Sequence, residues 1–194
     1  MAIEITGIET LHQGWARLLI VTIRLPGGET IRREVEDHGR AVCVLPYDPQ
    51  RRTAVLVRQF RAPPFLVAGE SETVEAIAGI VEDGDPARTA EREAREEAGL
   101  RLRGLEHVVT AWTMPGLSTE RMDFYLATYG ATDRVADGGG LANEHENIVV
   151  VEMQLADLAD LADKGRLTDT KTLLLVQTLR LRHPDLFGGD PVMV

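Results

Sequence analysis

Apolar residues along this chain fall into two kinds of spacing, and the change between them outlines its elements. Up to about residue 38 the pattern is strand-like. Leu18 to Leu25 is rich in β-branched residues, and Pro26-Gly27-Gly28 makes a turn before a second run, Thr30 to Val35. AVCVLPYD and RRTAVLVRQF then read as two buried strands joined through Asp48-Pro49-Gln50, and TVEAIAGI as one further short strand. Strands are also expected around Leu105 to Trp112, from about Met122 to Tyr129, and in IVVVEM. A turn at Met114-Pro115-Gly116-Leu117-Ser118 separates the first two, and Trp112 before it is expected in the core. The polar stretch from about Gly130 to Asn147 carries Gly138-Gly139-Gly140, Glu144, His145 and Glu146. Loops of that length inside a compact domain are either functional or disordered.

Helical spacing takes over in three places. LADLADLAD and LTDTKTLLLVQTLRLR read as two helices near the end of the sequence, with Pro184 stopping the second. The third runs from about Pro86 to Ala98. Asp85 is its N-cap, Pro86 occupies the first turn where a missing N–H costs nothing, and Gly99 is its left-handed C-cap. At about 100° per residue, Ala87, Ala90, Ala94 and Ala98 form one stripe suited to packing on a sheet. Glu93, Glu96 and Glu97 fall on the neighbouring arc, and Arg88, Arg92 and Arg95 are expected on the far side. Two readings of the carboxylates are open. They are a solvated face held by pairs such as Glu91 with Arg95 and Arg92 with Glu96, or a site for a hard divalent cation such as Mg2+. Strands mixed with these helices indicate an α+β fold in which a sheet lies between helices.

Composition narrows the field. The 194 residues, 44% of them hydrophobic, suit one globular domain with a small appendage. A net charge of −10 argues against a nonspecific nucleic-acid or anionic-membrane surface. Cys43 is the only cysteine, so an intrachain disulfide is excluded and a cysteine zinc site is not expected. No run approaches the roughly 18 apolar residues of a membrane span, and the first residues lack the pattern of a leader. A cytoplasmic location is expected. The five histidines show no ligand-like spacing, and Asp83-Gly84-Asp85 lacks the ligand series of a calcium loop.

Gly79, a loop, and Arg92-Glu93-Ala94-Arg95-Glu96-Glu97-Ala98-Gly99-Leu100 together resemble the Nudix box, G-x5-E-x7-R-E-U-x-E-E-x-G-U, where U is bulky and apolar. The interval from Gly79 to Arg92 is one residue shorter than that pattern, Asp85 stands where its first glutamate belongs, and the U after Glu93 is only Ala94. The resemblance extends through ETLHQGW, IRREVEDHG, VLVRQFR, MPGLSTE and GLANEHEN to the nucleoside-diphosphate-sugar pyrophosphatases. The shortened box is similar to the GDP-mannose branch and GLANEHEN to the ADP-ribose branch. This resemblance implies a Nudix-type α/β/α sandwich with a mixed sheet over residues 39–194. Residues 1–38 would form a β appendage that dimerises and is swapped between subunits in relatives.

The same resemblance implies the site. Glu93 and Glu97 would be primary Mg2+ ligands, Glu96 a ligand or water-holder, the Ala78 carbonyl a further oxygen, and Glu146 a ligand from the loop, with Mn2+ able to substitute. Glu144 would be the general base. Arg33 and Arg61 match positions that contact phosphate or the terminal sugar, and guanidinium suits bidentate phosphate recognition. Trp15 stands where an aromatic stacks on the base. Glu120 either binds substrate or pairs with Arg121. Against these roles stand simpler ones: a solvated acidic loop for Glu144 and Glu146, surface charges for the arginines, and a bystander for His145. The implied activity is cleavage of a nucleoside diphosphate sugar to a nucleoside monophosphate and a sugar phosphate by a homodimer, with ADP-ribose the first expected substrate and GDP-mannose the second. Another nucleoside diphosphate derivative, or a nucleotide-binding module without catalysis, are the remaining readings.

Overall fold

The computed structural model describes residues 2–82, 84–140 and 147–188. The expectations placed on Asp83, Glu144, His145 and Glu146 lie outside the described residues. By its contacts the chain divides into two compact units, Met1–Ala41 with Thr110–Met122, and Val42–Val109 with Asp123–Val194.

The first unit is built on an antiparallel meander, β1 (Glu4–Gln13), β2 (Arg17–Arg24) and β3 (Thr30–Asp37). Leu19 and Val21, two apart in β2, are both buried, as the strand's two-residue period requires. Residues 110–122 join it through the backbone: the Glu36 amide donates to the Leu117 carbonyl at 2.9 Å and the Thr119 amide to the Glu36 carbonyl at 2.8 Å.

In the second unit, β4 (Arg40–Asp48), β5 (Thr53–Gln59), β8 (Arg103–Trp112), β9 (Arg121–Thr128) and β10 (Val149–Gln154) take the sheet order β10-β5-β4-β9-β8. The expected strand TVEAIAGI is two: β6 (Thr73–Glu75) pairs with β5 and β7 (Ile77–Ile80) with β4. One apolar run can serve two neighbours because the chain changes partner at Ala76. Helix α2 (Pro86–Ala98) lies on one face. Its Ala90, Ala94 and Ala98 are fully buried against Val42, Val44, Val55, Val57 and Ile77, so the small-residue stripe packs as its spacing predicts. Residues of alternate parity, Cys43, Leu45 and Leu56, are equally buried and so point to the opposite face. Helices α3 (Leu155–Asp163) and α4 (Thr170–Arg182) bury Leu155, Leu158, Leu175 and Leu179. The result is the α/β/α arrangement with a mixed sheet.

Helix α1 (Ala62–Ala68) lies outside the expected elements; its prolines fall in the first helical turn, where they are tolerated. One expectation about the core needs correcting. Trp112 is not core. It is 56% exposed, with the Arg121 guanidinium 5.9 Å from its ring centroid. No helix among the described residues is long and apolar enough to cross a membrane.

Candidate active site

The acidic helix is fixed at both ends by the residues its sequence advertises. The Asp85 carboxylate accepts from the amides of Ala87 at 3.1 Å and Arg88 at 3.3 Å. At the other end Gly99 adopts φ 65°, and its amide reaches the Arg95 carbonyl. The box is short where Asp85 caps the helix, and all thirteen residues of α2 form nonetheless.

Its carboxylates are graded in exposure. Glu97 is buried at 4% and Glu93 largely so, while Glu96 reaches further toward solvent. Glu93 lies over Gly79: a Cβ built on that glycine would sit 2.0 Å from Glu93 Oε1. The Glu93 carboxylate therefore takes the space a side chain at position 79 would fill, which only glycine leaves open. Charge segregation around the helix does not hold. Arg92 bonds Glu93 Oε1 and Glu96 Oε2, each at 2.7 Å, because it borders the acidic arc: Glu96 is its (i, i+4) neighbour, one of the two foreseen pairs. The other foreseen pair, Glu91 with Arg95, is not among the ion pairs seen. Among the described residues no three His, Cys, Asp or Glu side chains converge as a ready-made cation cage. The donor set still fits a hard divalent cation, since the carboxylates are oxygen donors held beside a glycine cradle. Glu93 and Glu96 would exchange a guanidinium for the ion. The cradle predicts that Gly79→Ala lowers turnover about a hundredfold by displacing the Glu93 carboxylate, while thermal unfolding shifts by only a few degrees because a flexible side-chain end can move aside; kcat and Tm measured together check this.

A second use of glycine joins the polar loop to α2. Gly139 donates to the Glu97 carbonyl at 2.8 Å and Gly140 to the Glu96 carbonyl at 3.2 Å, satisfying groups that a helix end leaves unpaired. Gly138, at φ +75°, passes so close that a Cβ there would lie 2.4 Å from the Glu97 carbonyl oxygen. The stretch leading to Glu144 and Glu146 is thus tied to the residues that carry the box carboxylates. The sequence signals this only as three adjacent glycines.

Arg61 is not a loose strand-edge charge. It makes a two-point ion pair with buried Glu75, at 2.9 and 3.0 Å. Lys171 reaches the same carboxylate at 2.5 Å and Asp169 at 2.8 Å. Asp169 caps α4 through the Thr172 amide, and the Thr172 hydroxyl accepts from the Ala76 amide at 2.6 Å. Burial would push the Glu75 carboxyl up, but the hydrogen bonds from Arg61 and the charge of Lys171 outweigh it and bring the group down to about 2. Since the folded value lies below the unfolded one, the stabilisation is complete above about pH 4.5 and is lost as the pH falls toward 2. It amounts to about 3 kcal/mol. Glu75→Gln is expected to be less stable than the wild type at neutral pH, with the difference shrinking between pH 4.5 and 2, as denaturant titrations across that range would read. Sequence reading missed the Glu75–Lys171 pair because the two lie 96 residues apart.

The remaining candidates belong to the first unit. Trp15 projects from the turn between β1 and β2 and is 79% exposed. Glu120 does not pair with Arg121. Its Oε2 lies 3.4 Å from His38 Nε2. Arg33 is exposed on β3, where its guanidinium bonds the Arg32 carbonyl at 2.9 Å. The structure thus gathers Glu93, Glu96 and Glu97 beside Ala78 and Gly79 in one unit, and Trp15 with Glu120 around His38 in the other.

Residues 37–176 match the NUDIX domain family pattern. The chain belongs to the Nudix family. The GDP-mannose pyrophosphatase of Cronobacter sakazakii is 37% identical over 158 residues, covering 80% of this chain and 82% of that protein. That of Pectobacterium atrosepticum is 33% identical over 185 residues, covering 93% and 95%. Among solved structures, one titled as an ADP compounds hydrolase superposes with a TM-score of 0.75 at 19% identity, over 95% of this chain and 96% of its own, and shares the fold.

As a Nudix hydrolase of the nucleoside-diphosphate-sugar pyrophosphatase type, the chain is an enzyme. The Nudix match spans β4 to α4 and contains Ala78, Arg61, Glu120 and every box carboxylate. Trp15 and Arg33 lie before it.

Proposed function

We propose that this Nudix hydrolase is a cytoplasmic, Mg2+-dependent pyrophosphohydrolase that cleaves GDP-mannose to GMP and mannose 1-phosphate, with ADP-ribose as the second substrate. The order of the two reverses the expectation from sequence, because relatives named GDP-mannose pyrophosphatase match over most of the chain. The observation that carries the reaction class is the Glu93 carboxylate seated in the Gly79 cradle, one helical turn from buried Glu97. Nudix hydrolases generally use divalent metal ions. Glu93 and Glu97 would hold the ion, with Glu96, Glu146 and the Ala78 carbonyl completing an oxygen set that suits Mg2+ and admits Mn2+. A bound divalent ion supplies the neutralisation that lets a nucleophile approach a diphosphate anion.

The chain's own residues do the rest. Glu144 takes the proton of the attacking water. Arg61 presents a guanidinium whose orientation Glu75 fixes from behind, leaving its exposed side for phosphate. Trp15 stacks on the base and Arg33 meets the substrate's polar end. The exposed Ile5, Ile8 and Leu11 of β1 support a homodimer built through the β appendage of residues 1–38, since rows of apolar side chains left in water mark interfaces.

Release of nucleoside monophosphate from GDP-mannose and ADP-ribose, side by side with Mg2+ and with chelator, tests the reading. Cleavage that chelator abolishes and that favours GDP-mannose in kcat/KM is expected. A preference for ADP-ribose would reverse the substrates and keep the enzyme. Tight binding without product under excess Mg2+ would overturn the reading in favour of a nucleotide-binding module.

A further inference from the structure

A tryptophan that is 79% exposed adds little buried area to the fold, yet one side of the Trp15 indole is not open. The His38 imidazole lies 5.0 Å from it between ring centroids, with the planes inclined by 36°. His38 itself is 11% exposed at its side chain and is held on one edge: Nε2 stands 3.2 Å from Glu36 Oε1 and 3.4 Å from Glu120 Oε2. Two acceptors at one nitrogen make Nε2 the protonated one. Among the described residues buried Nδ1 has no hydrogen-bond partner, so the side-chain groups that orient the ring act on its Nε2 edge.

The three groups around this imidazole come from separate stretches of sequence, and each is fixed by its own backbone. Glu36 is the penultimate residue of β3, where its amide and carbonyl are clipped to Leu117 and Thr119. That clip places Glu120, whose amide donates to Ser118 Oγ at 3.1 Å. Thr119 Oγ1 donates to Asp37 at 2.7 Å, and Asp37 also pairs with Arg17 just past the turn that carries Trp15. On that turn the Gly14 amide bonds the Ala16 carbonyl, and a Cβ on Gly14 would meet His12 Nε2 at 2.8 Å. All of it limits where the indole can go.

We propose that His38 is a positioning residue for nucleobase recognition: held by Glu36 and Glu120, it fixes the inner face of the Trp15 indole so that the outer face is presented for a base to stack on. The proposal rests on the nucleoside-diphosphate-sugar reading. An indole already immobilised loses less rotamer freedom when a base stacks on it, so the brace acts on substrate affinity and leaves the chemical step alone. Glu36 and Glu120 thus act on the imidazole edge.

The test separates the brace from the activity. Trp15 and Trp112 are the two tryptophans, so a Trp112→Phe background isolates the Trp15 signal. In that background His38→Ala should add a large fast component to the Trp15 fluorescence anisotropy decay in the absence of any substrate. In the assay it should raise KM for GDP-mannose about fivefold with kcat within about twofold, whereas Trp15→Ala raises KM about tenfold or more. His38→Ala should add nothing once Trp15 is alanine. His38→Phe, which keeps a ring, should recover part of the loss, and His38→Gln, which keeps only a donor, should not. An unchanged anisotropy decay, a fall in kcat instead of a rise in KM, or a full His38→Ala effect without Trp15 would each overturn the proposal. If Trp15→Ala raises KM and His38→Ala does not, the substrate reading stands and the brace falls. If the wild type cleaves no nucleoside diphosphate sugar, the nucleobase role falls with that reading, and the anisotropy alone decides whether His38 holds the indole.

Discussion

Glu97→Gln is expected to lower kcat about a thousandfold while the protein stays folded. Glu97 is buried at the end of α2, where its backbone carbonyl also receives the Gly139 amide. Substitution by glutamine keeps the shape and removes the charge. A single preorganised charge at a phosphoryl-transfer site is worth about two to three orders of magnitude in rate. Stability should not suffer in proportion, because a buried carboxylate costs desolvation that a neutral amide does not. Turnover against Mg2+ concentration, together with a thermal melt, checks both halves. A melt unchanged within about 3 °C and turnover that excess Mg2+ does not restore are the expected pair. Near-normal turnover would remove Glu97 from the catalytic site.

Gly138→Ala should be strongly damaging to the fold beside the site. The added methyl would meet the Glu97 carbonyl oxygen at 2.4 Å and the Ala98 carbonyl carbon at 2.7 Å, and the backbone is at φ +75°. Unlike the methyl at Gly79, this one presses on backbone that cannot rotate away. Left-handed strain and overpacking together cost about 2–4 kcal/mol. For a protein of this size that is a fall of about 5–12 °C in Tm. Turnover should fall as well, since the loop that leads to Glu144 leaves from here. The control is Gly165→Ala. That glycine is also left-handed, at φ +64°, but none of the described residues lies within 4 Å of its Cβ position, so only the conformational part of the penalty should remain.

What the sequence made legible follows from how local each signal is. Helix α2 could be bounded to the residue because Asp85, Pro86 and Gly99 act on their immediate neighbours, and its alanine stripe faced the sheet as the periodicity required. Strands β4, β5 and β10 could be found from apolar runs for the same reason. The readings that changed depended on distant partners. TVEAIAGI divides because two different strands compete for it, Arg61 is held by a glutamate that Lys171 also grips, and Glu120 turned to His38 across more than 80 residues of sequence. The expected gathering of all three arginines on the far side overlooked helical spacing: Arg92 and Glu96 are about 40° apart in projection, and they pair. The box carboxylates themselves were plain in the sequence, because three glutamates at fixed helical spacing need no third dimension to be recognised.

The glycine splice between α2 and the loop bears on how such an enzyme can diversify. Residues 138–140 dock on the helix through backbone groups alone, so the joint is indifferent to the side chains that follow it. A change of length just after Gly140 would therefore leave the anchor beside the carboxylates unaltered. The chain carries, in effect, a splice point at which the sequence that follows can vary without rebuilding α2.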